Sequence, residues 1–233
     1  MVGKEASVPE LFSGPEILSK SLSGAGKVAL TFDDGPDPIY TPRILEILRS
    51  YKVQATFFVL STKAQRYPGI IEAILRDGHH VASHGVRHQP HLTLTRGGTF
   101  GEMRRAVEIL KETTGQAPRY YRPPWGLVNR WTVEAARQLQ MEVVRWSCDS
   151  RDWVLGIRPQ YIIRRVLTCR HLEGGIVLCH DGSFVPHRPR ALLTALPVII
   201  SELRHRGWRL VELPMLFFPE PYASLSASDR GTC

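Results

Sequence analysis

Long apolar runs are missing from this chain. The segment Ala55 to Leu60 is already interrupted by Thr56 and falls far short of the ~20 apolar residues that a membrane-spanning helix needs, so no transmembrane segment is expected. Cysteine is scarce: Cys148, Cys169, Cys179 and Cys233 are irregularly spaced with no C-x-x-C pair, which excludes a disulfide scaffold and a zinc-finger pattern and reads as reduced thiols. The opening MVGKEASVPELFSGPE has no basic stretch followed by an apolar core. The protein is therefore expected either to act inside the cell or to begin after a removed leader. Repeats and low-complexity linkers are absent too, which points to one domain over 27–213, an N-terminal extension over 1–26 and a C-terminal tail over 214–233.

What remains is an ordinary globular composition, 43% hydrophobic and 22% charged over 233 residues. Basic residues outnumber acidic ones 30 to 22, a net charge of +8 that favours an anionic partner and equally describes a well-solvated basic surface. Nucleic acid is not expected, because no recognised motif is present and the aromatics fall in core strands instead of alternating with a basic run. A monomer is expected.

From Lys27 onward, short β-rich runs alternate with helical ones. Strands are expected at Val28 to Phe32, Gln54 to Leu60, His80 to Ser83, Met141 to Trp146, Ile176 to Cys179 and Trp208 to Leu213. Helices are expected from an N-cap at Thr41 with Ile44, Leu45 and Leu48 as the stripe, then at Pro68 to Asp77, Phe100 to Thr114, Asn129 to Leu139, Pro159 to His171 and Arg190 to Arg206. Gly78 and Gly115 serve as stops, and Gly207 precedes the last strand. This alternation predicts an α/β fold of parallel strands with helices outside, as an open sheet or a barrel, and both place functional groups at the carboxyl ends of strands.

The polar residues fall at those ends. Asp33-Asp34-Gly35-Pro36 follows the first strand; alone it is ordinary turn chemistry, but two adjacent carboxylates can divide metal binding from proton transfer. Five of nine histidines lie between His79 and His91, with i, i+4 spacing in both His80/His84 and His84/His88, and spacing does not choose between the pairs. Two imidazoles with one carboxylate suit zinc or a related divalent ion. Tyr121-Arg122-Pro123-Pro124-Trp125-Gly126 holds an arginine in a rigid turn, Asp149-Ser150-Arg151-Asp152-Trp153 follows the Met141 to Trp146 run, and Ile176 to Cys179 runs into His180. A histidine there is placed for acid–base work, although a lone one is more often a core residue.

Taken in order, TFDDGP (Thr31 to Pro36), SHGVRH (Ser83 to His88), RPPWG (Arg122 to Gly126), DSRDW (Asp149 to Trp153) and LCHDG (Leu178 to Gly182) resemble the polysaccharide deacetylase family, carbohydrate esterase family 4. The resemblance runs from about Lys27 to Leu213. It implies a distorted (β/α) barrel of about seven parallel strands and the metal-dependent hydrolysis of N-acetyl groups on a peptidoglycan- or chitin-like carbohydrate. By resemblance, Asp34, His84 and His88 hold the metal, zinc first, with cobalt, nickel or manganese as alternatives. Asp33 is then the base, Arg122 its orienter, His180 the acid, and Asp152 or else Asp149 the residue that tunes it. Pro124, Trp125, Trp153 and Leu178 are implied to contact substrate, and the backbone N–H near Trp125 the oxyanion. Trp125 stands where tyrosine is common, and Gly85 loosens the second motif. The positive charge suits an anionic cell-wall polymer. The alternative substrate is a lipid-linked sugar or a small acetamide; a silent binding protein would have no need of an acid and a base.

Overall fold

A computed structural model of the chain describes residues 17–182 and 190–218. The proposed extension, the tail and Cys233 therefore lie wholly or largely outside the described residues. Among these, the strands are β1 (Ile17–Leu18), β2 (Lys27–Asp33), β3 (Thr56–Val59), β4 (His80–Ser83), β5 (Tyr120–Tyr121), β6 (Glu142–Val144), β7 (Cys148–Asp149), β8 (Gly175–His180) and β9 (Arg209–Val211). The helices are α1 (Tyr40–Ser50), α2 (Ser61–Arg66), α3 (Pro68–Arg76), α4 (Arg96–Thr114), α5 (Arg130–Gln138), α6 (Pro159–Leu167), α7 (Arg190–His205) and α8 (Leu213–Phe217).

All ladder pairings are parallel, in the order β1-β6-β5-β4-β3-β2-β8-β7, with β9 beside the first half of β2. Lys20, just after β1, forms an isolated antiparallel bridge with Gly175 of β8. The segment that leaves β1 on β6 thus reaches the far side of the sheet and draws it into a distorted (β/α) barrel, as the resemblance implied.

Period-2 alternation sorts the side chains into two layers. Val28, Leu30 and Phe32 of β2, Phe57 and Val59 of β3, and Val177 and Cys179 of β8 face the helices and join Ile44, Leu48, Ile74 and Ile199 in the main core. The alternate residues Ala29, Phe58 and Ile176 face inward. Along β2 and β8 this inward face ends at Asp33 and His180, which are direct partners in the ladder. Leu213 and Leu216 of α8 fill the interior, and the Leu213 N–H bonds to Thr56 Oγ1 at the start of β3. The interior is thus plugged at the amino ends of the strands and polar at their carboxyl ends.

Several expected boundaries move. Helix α1 begins at Tyr40, and Thr41 does not cap it; its hydroxyl donates instead to Asp181 Oδ2 at 2.6 Å, while Asp37 Oδ1 accepts the Ile39 and Tyr40 amides. Helix α4 starts four residues before Phe100 because the Thr95 hydroxyl caps it. The strand expected over Met141 to Trp146 stops at Val144, α6 stops at Leu167, and Leu213 starts a helix instead of ending a strand. Gly78 and Gly115 do stop their helices, at φ 79° and 77°. Cys148, Cys169 and Cys179 are free thiols. No helix among the described residues is long and apolar enough to cross a membrane.

Candidate active site

One open cleft at the carboxyl ends of the strands, with a cavity of about 170 Å³, gathers Asp33, Asp34, His84, His88, Trp125, Asp149, Trp153, Leu178 and His180. Asp33 closes β2 and is 2% exposed. Asp34 then turns out of the strand at φ 72°, a left-handed conformation costing a non-glycine residue on the order of 1–3 kcal/mol. Consecutive carboxylates therefore leave the strand in different directions. Gly35 is dictated by close approach, since a Cβ there would lie 2.0 Å from Asp181 Oδ2.

Asp34 Oδ1 is buried without a hydrogen-bond partner and lies 3.4 Å from both His84 Nε2 and His88 Nε2. His84 Nδ1 sits 2.7 Å from the Arg122 carbonyl, which can only accept, so Nδ1 carries the proton and Nε2 turns its lone pair to Asp34. The three donor atoms lie within 4.8 Å of one another. A carboxylate oxygen and two imidazole nitrogens, with the oxygen otherwise orphaned, fit one divalent cation. Burial opposes charge on Asp34, but His84, with His180 and His88 beyond it, holds its carboxyl well below the usual range. Burial likewise disfavours a charged His84, yet Asp33 and Asp34 raise its proton affinity, whereas burial takes His88 down to about 4.

Of the two possible histidine pairs, the structure brings His84 and His88 together, with ring centroids 5.2 Å apart. His80 opens β4 and packs edge-on against Tyr120, while His79 Nδ1 accepts the Ala55 amide; burial pushes both imidazoles down to about 4.

Beneath the cleft, Arg122 is wholly buried. Its Nη1 donates to Asp33 Oδ1 at 2.7 Å and Thr31 Oγ1 at 2.8 Å, its Nη2 to the Arg145 carbonyl at 2.9 Å, and its guanidinium lies 4.0 Å above the Phe58 ring. One oxygen of Asp33 is thereby committed, and Oδ2 stays on the cleft side, 3.9 Å from His84 Nε2. Opposite, His180 Nδ1 pairs with Asp152 Oδ1 at 2.8 Å, and Asp152 Oδ2 accepts the His180 amide. Burial works against the His180 cation, but the charge and hydrogen bond of Asp152 push its pKa up to about 9.

The two acids of the fourth motif thus separate. Asp152 holds His180, whereas Asp149 accepts from Trp153 Nε1 at 3.3 Å and from the Arg151 amide, fixing the indole at the rim. The expectation for Pro124 is corrected: Pro123 lines the cleft, and Pro124 is buried as the first residue of a single 3-10 turn. Trp125 stands in that turn at φ 62°, 64% exposed, with its ring edge-on to His88. Sequence reasoning missed Trp146, which lines the cleft, and Lys63 of α2, whose Nζ donates to the Asp34 carbonyl at 2.7 Å. A family pattern read by motif gave no signal for either, since both lie outside the five segments.

Comparison with known proteins agrees with this geometry. The polysaccharide deacetylase family model matches residues 21–144. The chain is 34% identical to a peptidoglycan-N-acetylglucosamine deacetylase of Bacillus cereus, over 88% of this chain and 74% of that protein. It is 33% identical to a chitooligosaccharide deacetylase of a Bradyrhizobium species, over 84% and 92%. A crystal structure of a peptidoglycan N-acetylglucosamine deacetylase superimposes with a TM-score of 0.82 at 31% identity, over 87% of this chain and 92% of that one. Five ordered motifs converging on one cleft and these likenesses have one source: the chain belongs to the polysaccharide deacetylase family.

Proposed function

We propose that the chain removes N-acetyl groups from N-acetylglucosamine-type residues of a glycan, splitting the amide C–N bond with water to give acetate and a free amine. The observation that carries this reading is the meeting, in one cleft, of an acid–base pair set in register on β2 and β8 with the cluster of Asp34, His84 and His88. These three residues would hold a divalent cation, zinc by donor chemistry, with cobalt, nickel and manganese as competitors. When bound, that ion supplies Lewis acidity toward the acetamide carbonyl and toward water.

Asp33 takes the proton of the attacking water on Oδ2, since Arg122 occupies Oδ1. His180, its Nδ1 committed to Asp152, delivers a proton from Nε2 to the departing nitrogen, which cannot leave as an anion. The backbone amide of the Trp125 turn is the donor this reading assigns to the developing oxyanion, and one such donor is typically worth ~2.7–4 kcal/mol. Leu178, Trp153, Pro123 and Trp125 line the cleft and give the acetyl methyl apolar surroundings. The net charge of +8 favours an anionic wall polymer such as peptidoglycan over a neutral chitin-like chain.

Acetate release from peptidoglycan, N-acetylated chitooligosaccharides and small acetamides, measured with zinc-supplemented protein, tests the reading. Release is expected from the glycans, highest on peptidoglycan, and lost in His88→Ala. Release from small acetamides alone would overturn the glycan assignment.

A further inference from the structure

Between the two imidazoles the chain makes a tight turn through Gly85, Val86 and Arg87, with Gly85 at φ 89°. The backbone of that turn is gripped from two sides. From α2, the Ser61 amide and hydroxyl donate to the Gly85 carbonyl at 2.9 and 3.2 Å, and the Thr62 hydroxyl donates to the Val86 carbonyl at 2.8 Å. From α4, Glu102 Oε1 accepts the Val86 amide at 2.6 Å. The second oxygen of Glu102 lies 3.2 Å from Nε2 of His91, a residue with no exposed surface. His91 bonds onward to Tyr121 Oη at 2.8 Å and to Thr132 Oγ1 at 3.2 Å, and its carbonyl accepts from Asn129 Nδ2. Tyr121 directly precedes Arg122, whose carbonyl orients His84.

We infer that Glu102 is a positioning residue for the cation site, setting the distance between the His84 and His88 rings through the Val86 amide. The inference rests on the reading of Asp34, His84 and His88 as cation ligands. Glu102 takes no part in the proton transfers; it acts on the peptide that joins the two imidazoles. Gly85 belongs to the same arrangement, because a Cβ there would come 2.7 Å from Glu102 Oε1 and displace the carboxylate from the amide. The His91 network supports the carboxylate from behind and links the turn to α5 and to the strand that fixes His84. A change in such outer partners of metal ligands typically costs about 10–100-fold in affinity.

The test is zinc affinity of the full chain, measured by competition with a chromophoric chelator, beside the visible spectrum of the cobalt form and the thermal midpoint of the metal-free protein. Glu102→Ala is expected to bind zinc about 10–100-fold more weakly, with an altered cobalt spectrum. Glu102→Asp, which keeps the charge but withdraws the oxygens by about one carbon–carbon bond, ~1.5 Å, is expected to lose affinity similarly. Glu102→Gln keeps an oxygen for the Val86 amide and is expected to stay close to wild type. Should Glu102→Ala fail to fold, the Asp and Gln pair decides. Wild-type affinity in both Glu102→Ala and Glu102→Asp, while His88→Ala loses zinc, overturns the inference alone. The same holds if Glu102→Gln is as weak as Glu102→Asp and both lose midpoint in proportion, as a merely structural role requires. Zinc retained by His88→Ala would instead overturn the cation site itself.

Discussion

Replacing Asp152 with asparagine isolates the proton on His180, because the amide keeps the volume and one acceptor but removes the charge. In the wild type Asp152 contacts His180 twice, at Nδ1 and at the backbone amide, both at 2.8 Å, and carries the imidazole from 6.5 up to about 9. That rise corresponds to about 3 kcal/mol at ~1.4 kcal/mol per tenfold in proton affinity. With the charge gone, burial is the leading influence left, and it favours the neutral ring. A cation bound at Asp34 would offset the weaker pull of Asp33 and Asp34, which leaves Asp152 as the group that keeps the acid protonated. The His180 proton should then be lost near or below the ordinary imidazole value. At pH 7.5 about one-tenth of the variant carries the proton, an approximately tenfold deficit against wild type, while at pH 5.5 the deficit from protonation falls below about twofold. The assay is kcat/KM for acetate release in both proteins at each pH, taken as a ratio so that groups common to both cancel. A ratio constant from pH 5.5 to 8.5 would refute the assignment of His180 as an acid held charged by Asp152.

The same pair has a stability signature. Because the folded-state pKa is raised, its contribution is fully present below pH 6.5 and is lost as pH rises through about 9, so the gap in thermal midpoint between wild type and Asp152→Asn should close at alkaline pH. Asp33→Asn should retain zinc affinity within a few-fold and lose about 10²–10⁴-fold in turnover, and near wild-type turnover would remove Asp33 as the base. Arg122→Met strands a buried carboxylate and is expected to cost about 3–5 kcal/mol in denaturant unfolding; a loss under ~1 kcal/mol would contradict its buried pairing with Asp33. Gly35→Ala drives a methyl into Asp181 and should lower the melting midpoint by the equivalent of about 1–3 kcal/mol while weakening zinc binding, and wild-type values of both would contradict the packing at that turn.

The parts of the site that the sequence made legible are those fixed by strand direction. β2 and β8 are long apolar runs, so their carboxyl ends are easily placed, and a polar residue there is conspicuous: hence Asp33, Asp34 and His180. The choice between histidine pairs was not legible from spacing, because i, i+4 means different distances in different backbones. His80 opens β4, and four residues at ~3.3 Å each put its Cα about 13 Å from that of His84, whereas His84 and His88 flank a turn. Strands β1, β5 and β7 are only two residues long and leave no periodicity to read. Helix α2 has no apolar stripe; Ser61 and Thr62 look like loop residues until their amides and hydroxyls are seen to satisfy the carbonyls between the two imidazoles.

The same contrast explains why the sequence does not separate Asp152 from Asp149 and gives no sign of Glu102. Both fourth-motif acids sit within reach of the cleft, and only the fold of the Ser150 turn decides: the Ser150 hydroxyl donates to Asp152 Oδ1 at 2.9 Å and holds that carboxylate inward, while Arg151, at φ 57°, turns the chain so that Asp149 meets Trp153 at the rim. Glu102 lies on α4 beside the exposed Arg104 and Arg105, so in sequence it reads as one more exposed acid on an amphipathic helix. Asp33, Asp34 and His180 sit at strand ends and announce themselves by being polar where the pattern is apolar. Ser61, Thr62 and Glu102, which hold the turn between the two imidazoles, sit on helices, where a polar residue is ordinary, and only their contacts to the turn's backbone distinguish them. In this chain the backbone between His84 and His88 is therefore held by α2 and α4 as well as by β4, which leads into His84.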